Sequence, residues 1–510
     1  MPELTWIGKD KVVNHHHDVP FRILEKQYTF GDEGSGNKII HGDNLAALKS
    51  LLPEYEGRIK CIYIDPPYNT GNEGWVYNDN VNDPKLKRWL NQVVGKEGED
   101  LSRHDKWLCM MYPRLKLLRR LLSDDGVISV SIDDNDVAKL RILLEEIFGA
   151  ANFVANILWQ KRTSPDSRLK LSDAHEHIIC FAKRNDLLTF NKIPQTPKQL
   201  ANFKNPDNDP RGPWASTDFS AQGFRPNQMY EVVTPSGRVV TPPPGNCLKK
   251  TEDVFLGLVA DNRFWFGRNG DGVPRRKTFL AESEGVAAWS WWTNEEVGHS
   301  QEAKQEVKEI LSDSEIVFDT PKPSRLIERI IQIATKPDAI ILDSFAGSGT
   351  TAHAVLKLNA ADGANRKFIL IEREDYAETI TAERVRRVMN GYGEGTKAVA
   401  GLGGSFDYYE IGEPLFHEDG NLNEDIGVEE IRKYVAYTEN LTAENQLPIE
   451  NEHSPYFLGK QDDTAYIFYY EKDRATTLDL DYLSRLNFRS ANMVFYAGIC
   501  LLNKKHGAAR

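Results

Sequence analysis

Two short runs hold the residues whose types and spacing could do chemistry. The first is Asp65-Pro66-Pro67-Tyr68, set directly behind the apolar run Cys61-Ile62-Tyr63-Ile64. Such a run reads as a strand covered on both faces, and the two prolines forbid its continuation as helix or ladder. The chain would stop on a carboxylate, backbone carbonyls and an aromatic ring, at the carboxyl edge where open α/β sheets bind ligands. Taken alone, the run is equally a strand followed by a Pro-Pro turn, with Tyr68 as ordinary core.

The second run is Asp343-Ser344-Phe345-Ala346-Gly347-Ser348-Gly349, between an apolar strand pattern and a helical one. Gly347 and Gly349 let backbone approach a ligand closely, and Glu372 follows about 20 residues on, placed for ribose hydroxyls. A Walker A loop is excluded, since no lysine follows Gly349. A dinucleotide fingerprint would want a third glycine where Ala352 stands, although some dinucleotide folds permit that change. Asp343 before the loop and Phe345 within it suit a smaller, more hydrophobic nucleoside better than a diphosphate.

The surrounding pattern alternates strand and helix, which predicts an α/β fold. Strands are expected at 38–41 (ending on Gly42-Asp43-Asn44), 61–64, 127–132, 153–159, 177–182, 339–343 and 367–371. Helices are expected at 45–52, 107–122, 136–147, 302–311, 324–334, 350–358 and 375–389. Residues 69–106, rich in Asn, Gly and Asp, read as a long irregular segment. Residues 191–300 carry many Pro, Gly and Asn and little helical period, as an inserted, irregular or β-containing domain would. Past Gly391 the chain is Gly-rich and then acidic, with a helix near 428–435 and a strand-like run at 465–470.

At 510 residues, with 40% hydrophobic and 27% charged residues, the composition is that of a multi-domain globular protein. No apolar run approaches the length of a membrane span, and the start lacks an apolar signal segment, so neither is expected. Cys61, Cys109, Cys180, Cys247 and Cys500 are scattered, which predicts reduced thiols in a cytoplasm and no structural zinc. His15-His16-His17-Asp18 reads as a solvated loop, and no metal is expected. The net charge is −12. Residues 401–510 hold ten Lys/Arg against nineteen Asp/Glu and so carry most of it, leaving local patches free to dock an anion. The most basic short run, 262–277, holds Arg263, Arg268, Arg275, Arg276 and Lys277 around Phe264, Trp265 and Phe266. These could contact phosphates and base edges, or form a solvated loop about an aromatic cluster.

Together, Asp65-Pro66-Pro67-Tyr68 and Phe345-Ala346-Gly347-Ser348-Gly349 resemble the S-adenosylmethionine-dependent amino-methyltransferases that act on DNA, over most of residues 38–395. The catalytic motif precedes the insert and the cofactor motif, an order similar to the β class. Residues 65–71, Trp107 with Tyr112-Pro113-Arg114-Leu115, 129–135, 318–323 and 346–355 further resemble the Mod subunits of type III restriction–modification systems. The resemblance implies a circularly permuted Rossmann-like methyltransferase sheet with an inserted target-recognition domain and a C-terminal α/β extension. The implied domains are a leader (1–37), a catalytic half (38–190), a recognition insert (191–315), a cofactor half (316–395) and an acidic C-terminal domain (396–510) for dimer or partner contacts.

It implies catalysis by Asp65, Pro66, Pro67 and Tyr68. It implies S-adenosylmethionine held by Asp43 at the adenine, Glu372 at the ribose, and Asp343, Phe345, Gly347 and Gly349 at the methionine end. Lys322 matches the family's cofactor lysine or its neighbourhood. The implied substrate is double-stranded DNA, and Asp rather than Ser at position 65 favours adenine N6 over cytosine N4. The implied partners are a second copy and a helicase–nuclease restriction subunit, although the region after 400 is shorter than such subunits carry. The alternatives are a solitary adenine methyltransferase, a cytosine-N4 enzyme, or a DNA-recognition module guiding a nuclease. Relatives with Asn-Pro-Pro-Tyr act on protein glutamines and would not need the insert.

Overall fold

The computed structural model describes residues 3–68, 101–168, 170–312, 318–441, 445–449, 451, 453–487 and 490–502. The expected irregular segment at 69–106 falls largely outside them, and its last residues are helical. Apolar runs interrupted by acids and glycines build a ten-stranded sheet. Its strands are β1 (Arg22–Phe30), β2 (Lys38–His41), β3 (Ile59–Ile64), β4 (Leu122–Ile132), β5 (Phe153–Gln160), β6 (His175–Ala182), β7 (Trp291–Trp292), β8 (Ile340–Asp343), β9 (Lys367–Glu372) and β10 (Phe406–Pro414). They lie in the order β1-β10-β2-β9-β8-β3-β4-β6-β5-β7. From β10 to β4 every neighbouring pair is parallel. β6 is antiparallel to both its neighbours, and β1 is antiparallel to β10. β8 and β9, late in the chain, sit between β2 and β3, early in it, so the sheet is circularly permuted as expected.

Seven helices matter for the site: α1 (Asn44–Tyr55), α2 (Leu101–Leu121), α3 (Val137–Phe148), α4 (Ser300–Ile310), α5 (Ser324–Ala334), α6 (Thr350–Asp362) and α7 (Glu383–Asn390). Ile62 and Ile64 of β3 join Leu48, Leu52, Leu115, Leu118 and Leu144 in one core. Cys61 and Tyr63, pointing the other way, are equally buried, and α5 packs against β3 and β4. Both faces are therefore covered, as a parallel sheet requires. Burying each such aliphatic side chain contributes about 1.5–3 kcal/mol.

Several elements differ from the sequence reading. Arg22–Phe30, expected within a leader, is the edge strand β1, and it pairs with Phe406–Pro414 from the Gly-rich, acidic tract. Both strands are only half buried, so their apolar pattern is diluted by charge. His15–Asp18 forms a helical turn in which His15 and His16 are buried, not solvated. β4 begins directly after α2, at Leu122 rather than at the expected residue 127, and so takes in Asp124 and Asp125. Lys60 pairs with Asp125 at 2.9 Å and Lys183 with Asp124 at 3.3 Å, which neutralises the acids along the strand. Pro53 lies in the last turn of α1, not beyond it.

Residues Asn191–Ala288 form a separate compact unit. There Arg275–Phe279 pairs with Trp214–Asp218 and with Phe264–Trp265, over a core of Phe219, Phe255, Phe264 and Phe266. Residues 289–312 pack in the first unit, through β7 on β5 and α4 on α7. Near the C-terminus, Phe457–Gln461, Thr464–Tyr469 and Asn492–Ala497 make a small sheet. Its Leu458 and Phe468 share a core with Ile431 and Val435 of the helix Val428–Thr438. Among the described residues no helix is long and apolar enough to cross a membrane.

Candidate active site

Four adjacent parallel strands, β2, β9, β8 and β3, each run into an acid at the same sheet edge: Asp43, Glu372, Asp343 and Asp65. Asp343 and Glu372 are almost wholly buried. Asp343 accepts the Phe345 N–H at 3.1 Å and the Thr351 hydroxyl at 2.5 Å, which pins the start of the glycine turn to its own strand. Glu372 accepts the Gly347 N–H at 2.7 Å and those of Arg373 and Glu374 at 2.8 and 3.0 Å. Burial pushes Asp343 up to about 7 against the pull of its two donors. Burial likewise pushes Glu372 up to about 7, with three backbone N–H groups opposing it.

The hook after β3 is held from several sides. Lys322 donates to Asp65 Oδ2 at 2.6 Å and lies 3.6 Å from Glu176 Oε2. Tyr68 donates to Glu176 at 3.0 Å, and Lys161 donates to the other Glu176 oxygen at 3.1 Å. Trp107 donates to the Pro67 carbonyl at 2.8 Å, which fixes the Pro-Pro turn on α2. Lys322 Nζ also stands 4.9 Å from the Tyr68 ring centre. Asp65 Oδ1 is buried with no hydrogen-bond partner among the described residues. Burial raises Asp65, and Lys322 opposes the rise. For Glu176 burial acts upward too, but the ammoniums of Lys322 and Lys161 overcome it and leave the group lowered. Lys322, despite burial, is raised by the two carboxylates it faces.

The glycine turn needs its glycines. Gly347 has φ 51° and Gly349 φ 77°. A Cβ on Gly349 would meet the Thr381 carbonyl oxygen at 3.0 Å, and one on Gly347 the Phe318 ring at 3.1 Å. Phe345 is buried in the core beside Leu342 and Ile62. Behind the turn lies Arg384 of α7, with no exposed side-chain surface. It donates to Ser348 Oγ at 2.9 Å, Thr350 Oγ1 at 2.7 Å and Glu306 at 3.0 Å.

Of the residues singled out by sequence, Asp65, Pro66, Pro67 and Tyr68 and the set Asp343, Phe345, Gly347, Gly349 and Glu372 come together on one sheet edge. Lys322 joins the Asp65 hook through its side chain, while its carbonyl accepts the Thr350 hydroxyl at 3.4 Å. Asp43 caps α1 through Leu45 and Ala46 N–H at 2.9 and 3.2 Å, with Arg114 at 3.4 Å from its second oxygen. The basic run behaves unevenly. Lys277 is fully buried and paired with Asp207 and Asp209, so it cannot meet a phosphate. Arg263 is held by Asp261 and Glu282 at 2.7 and 2.6 Å, and Arg275 donates to Ser216. Arg268 and Arg276 are exposed. Sequence reasoning missed Glu176, Lys161 and Arg384. For Glu176 the available signal was an acid inside a buried strand, His175–Ala182.

A permuted, mainly parallel sheet with a Pro-Pro hook and a glycine turn on neighbouring strands defines a class of α/β group-transfer fold. The chain belongs to the DNA methylase family, whose model matches residues 59–383. The type III restriction-modification enzyme StyLTI Mod subunit of Salmonella typhimurium is 36% identical, over 72% of this chain and 58% of that one. The EcoPI Mod subunit of Escherichia phage P1 is 31% identical, over 78% and 66%. The type II methyltransferase M.KpnI of Klebsiella pneumoniae is 33% identical, over 67% and 81%. The chain thus spans less than two thirds of either Mod subunit.

Proposed function

We propose that this chain methylates the N6 amine of adenine in double-stranded DNA with S-adenosylmethionine, as the modification subunit of a type III system. The observation that carries the reading is the abutment of the Asp65 hook and the glycine turn on the paired strands β3 and β8, in a chain of the DNA methylase family. The residues suit such a donor: Asp43, Asp343, Phe345 and Glu372 line the same edge as a turn whose Gly347 and Gly349 adopt left-handed backbone against Phe318 and Thr381. Bound there, the donor supplies an electrophilic methyl group on a sulfonium.

An adenine amine is a poor nucleophile because its lone pair is delocalised into the ring. The unpartnered Asp65 Oδ1 and the Pro66 carbonyl would accept its two N–H bonds and tilt nitrogen toward a tetrahedral state. Lys322 holds the other Asp65 oxygen and so fixes the carboxylate plane. Tyr68, pinned by Glu176, offers a stacking face worth about 1–3 kcal/mol per base. Positioning supplies the remainder, and extruding the base costs a few kcal/mol. Exposed Arg268 and Arg276 would meet the phosphate backbone. A homodimer, a helicase–nuclease partner and a cytoplasmic location belong to the same reading.

Incubation with duplex DNA and labelled donor, followed by nucleoside mass spectrometry, tests it. N6-methyladenine that disappears in Asp65→Ala is expected. Labelled N4-methylcytosine would refute the base assignment, and no labelled base at all would refute the activity. The fuller coverage of M.KpnI favours a second reading, a methyltransferase working without a restriction subunit. Failure of a helicase–nuclease encoded beside this chain to co-purify with it would favour that reading.

A further inference from the structure

We propose that Asp134, His175 and His177 form a binding site for a divalent transition ion of the zinc class. The three side chains each offer a ligand atom, and these atoms all lie within 4.8 Å of one another. They come from two strand ends: His175 and His177 are alternate residues at the start of β6, and Asp134 follows the end of β4. The antiparallel pairing of Ile132 with His177 brings the two together. His177 Nε2 already stands 2.9 Å from Asp134 Oδ1, and the two imidazoles meet edge-on at 5.2 Å between centres. Metal–nitrogen and metal–oxygen bonds of about 2.0–2.2 Å place tetrahedral neighbours about 3.3 Å apart. Closing on an ion would require the ligand atoms to draw together from within 4.8 Å to about that spacing.

The surroundings suit a ligand set better than a plain ion pair. A metal-bound imidazole presents one bare nitrogen to the ion and donates its other N–H to an acceptor. His177 Nδ1 faces the Asn156 side-chain amide, with the nitrogen at 3.1 Å and the oxygen at 3.2 Å. That amide serves either tautomer, so Nδ1 keeps a hydrogen bond when the proton moves to it from Nε2, and Nε2 exchanges its bond to Asp134 for the ion. Two imidazoles and one carboxylate favour zinc, nickel or copper over magnesium or calcium. Asp134 is 61% exposed, which leaves room for water as a fourth ligand. Glu176, between the two histidines, alternates to the opposite face and takes the Tyr68 hydroxyl. An ion here would clip β6 to β4 and steady the strand that carries Glu176.

Zn2+ titrated into the metal-stripped full chain by calorimetry, with thermal melting in parallel, tests the site. One equivalent bound and a raised melting temperature are expected. Asp134→Ala, a change at an exposed side chain, should weaken binding at least about ten-fold, and His177→Ala should abolish it. His17→Ala, which removes the exposed imidazole of the N-terminal histidine run, should leave binding intact. Undiminished binding in Asp134→Ala and His177→Ala, loss in His17→Ala, or no uptake by the parent chain would each overturn the proposal.

Discussion

Lys322 and Asp65 stand 257 residues apart in sequence and 2.6 Å apart in space. The lysine also faces Glu176, so one cation serves two carboxylates inside the hook. Lys322→Met should destabilise the protein by on the order of 3 kcal/mol, because it strands the buried Asp65 without a counter-charge and leaves Glu176 to Lys161 alone. Urea unfolding measures this. Without Lys322 the force opposing the upward shift of Asp65 is gone. The ionised, accepting form would then appear only at higher pH, and the acid limb of the methylation rate should move alkaline. An unmoved limb would show that Lys322 acts on stability alone.

Asp343 and Glu372 should make stability fall with rising pH. Both are raised by burial to about 7, above their unfolded values. The folded chain therefore binds more protons between pH ~4 and 7, and the stability present below that window is lost as pH rises through it. Asp343→Asn removes one such group while keeping an oxygen for the Phe345 N–H. The loss of unfolding free energy between pH 5 and 8 should shrink by on the order of 2 kcal/mol. An unchanged slope would contradict the assignment.

Gly349→Ala should cost about 3 kcal/mol, combining left-handed strain with collision against the Thr381 carbonyl. Gly363→Ala is the control. Its φ of 71° is left-handed like the 77° of Gly349, but it faces open space, so it should cost about 1 kcal/mol. Equal losses in thermal melts would remove the close-approach argument.

Arg384 ties the glycine turn to α4 through Ser348, Thr350 and Glu306. Lysine cannot reproduce this fork. Arg384→Lys should therefore raise the KM for the methyl donor several-fold while lowering kcat less. A fall in kcat alone would place the residue's influence elsewhere.

In the unit spanning Asn191–Ala288, the two exposed cations and the buried one should separate cleanly. Arg268→Ala with Arg276→Ala should weaken DNA binding and reduce its salt dependence, by about one phosphate contact each. Lys277→Ala should instead destabilise the unit, since it takes the ammonium from Asp207 and leaves the buried Asp209 to Arg211 alone. Filter binding across a salt series and thermal unfolding distinguish the two outcomes.

The sequence by itself determined the local pieces. An apolar strand stopping on Asp65-Pro66-Pro67-Tyr68, and a turn that needs Gly347 and Gly349, are short-range facts written in neighbouring residues. The strands β3, β8 and β9 were equally legible, because burial on both faces leaves unbroken apolar runs. The half-buried edge strand β1 and its neighbour β10 were not, since solvent on one side admits Glu25, Lys26, Asp407 and Glu410 into the pattern. Only the tertiary structure decided that Lys322 sits on Asp65, that Glu176 holds Tyr68, and that Lys277 is inside while Arg276 is outside. Such pairings join distant segments, and a charge's worth there depends on its burial and partners, which no local spacing encodes.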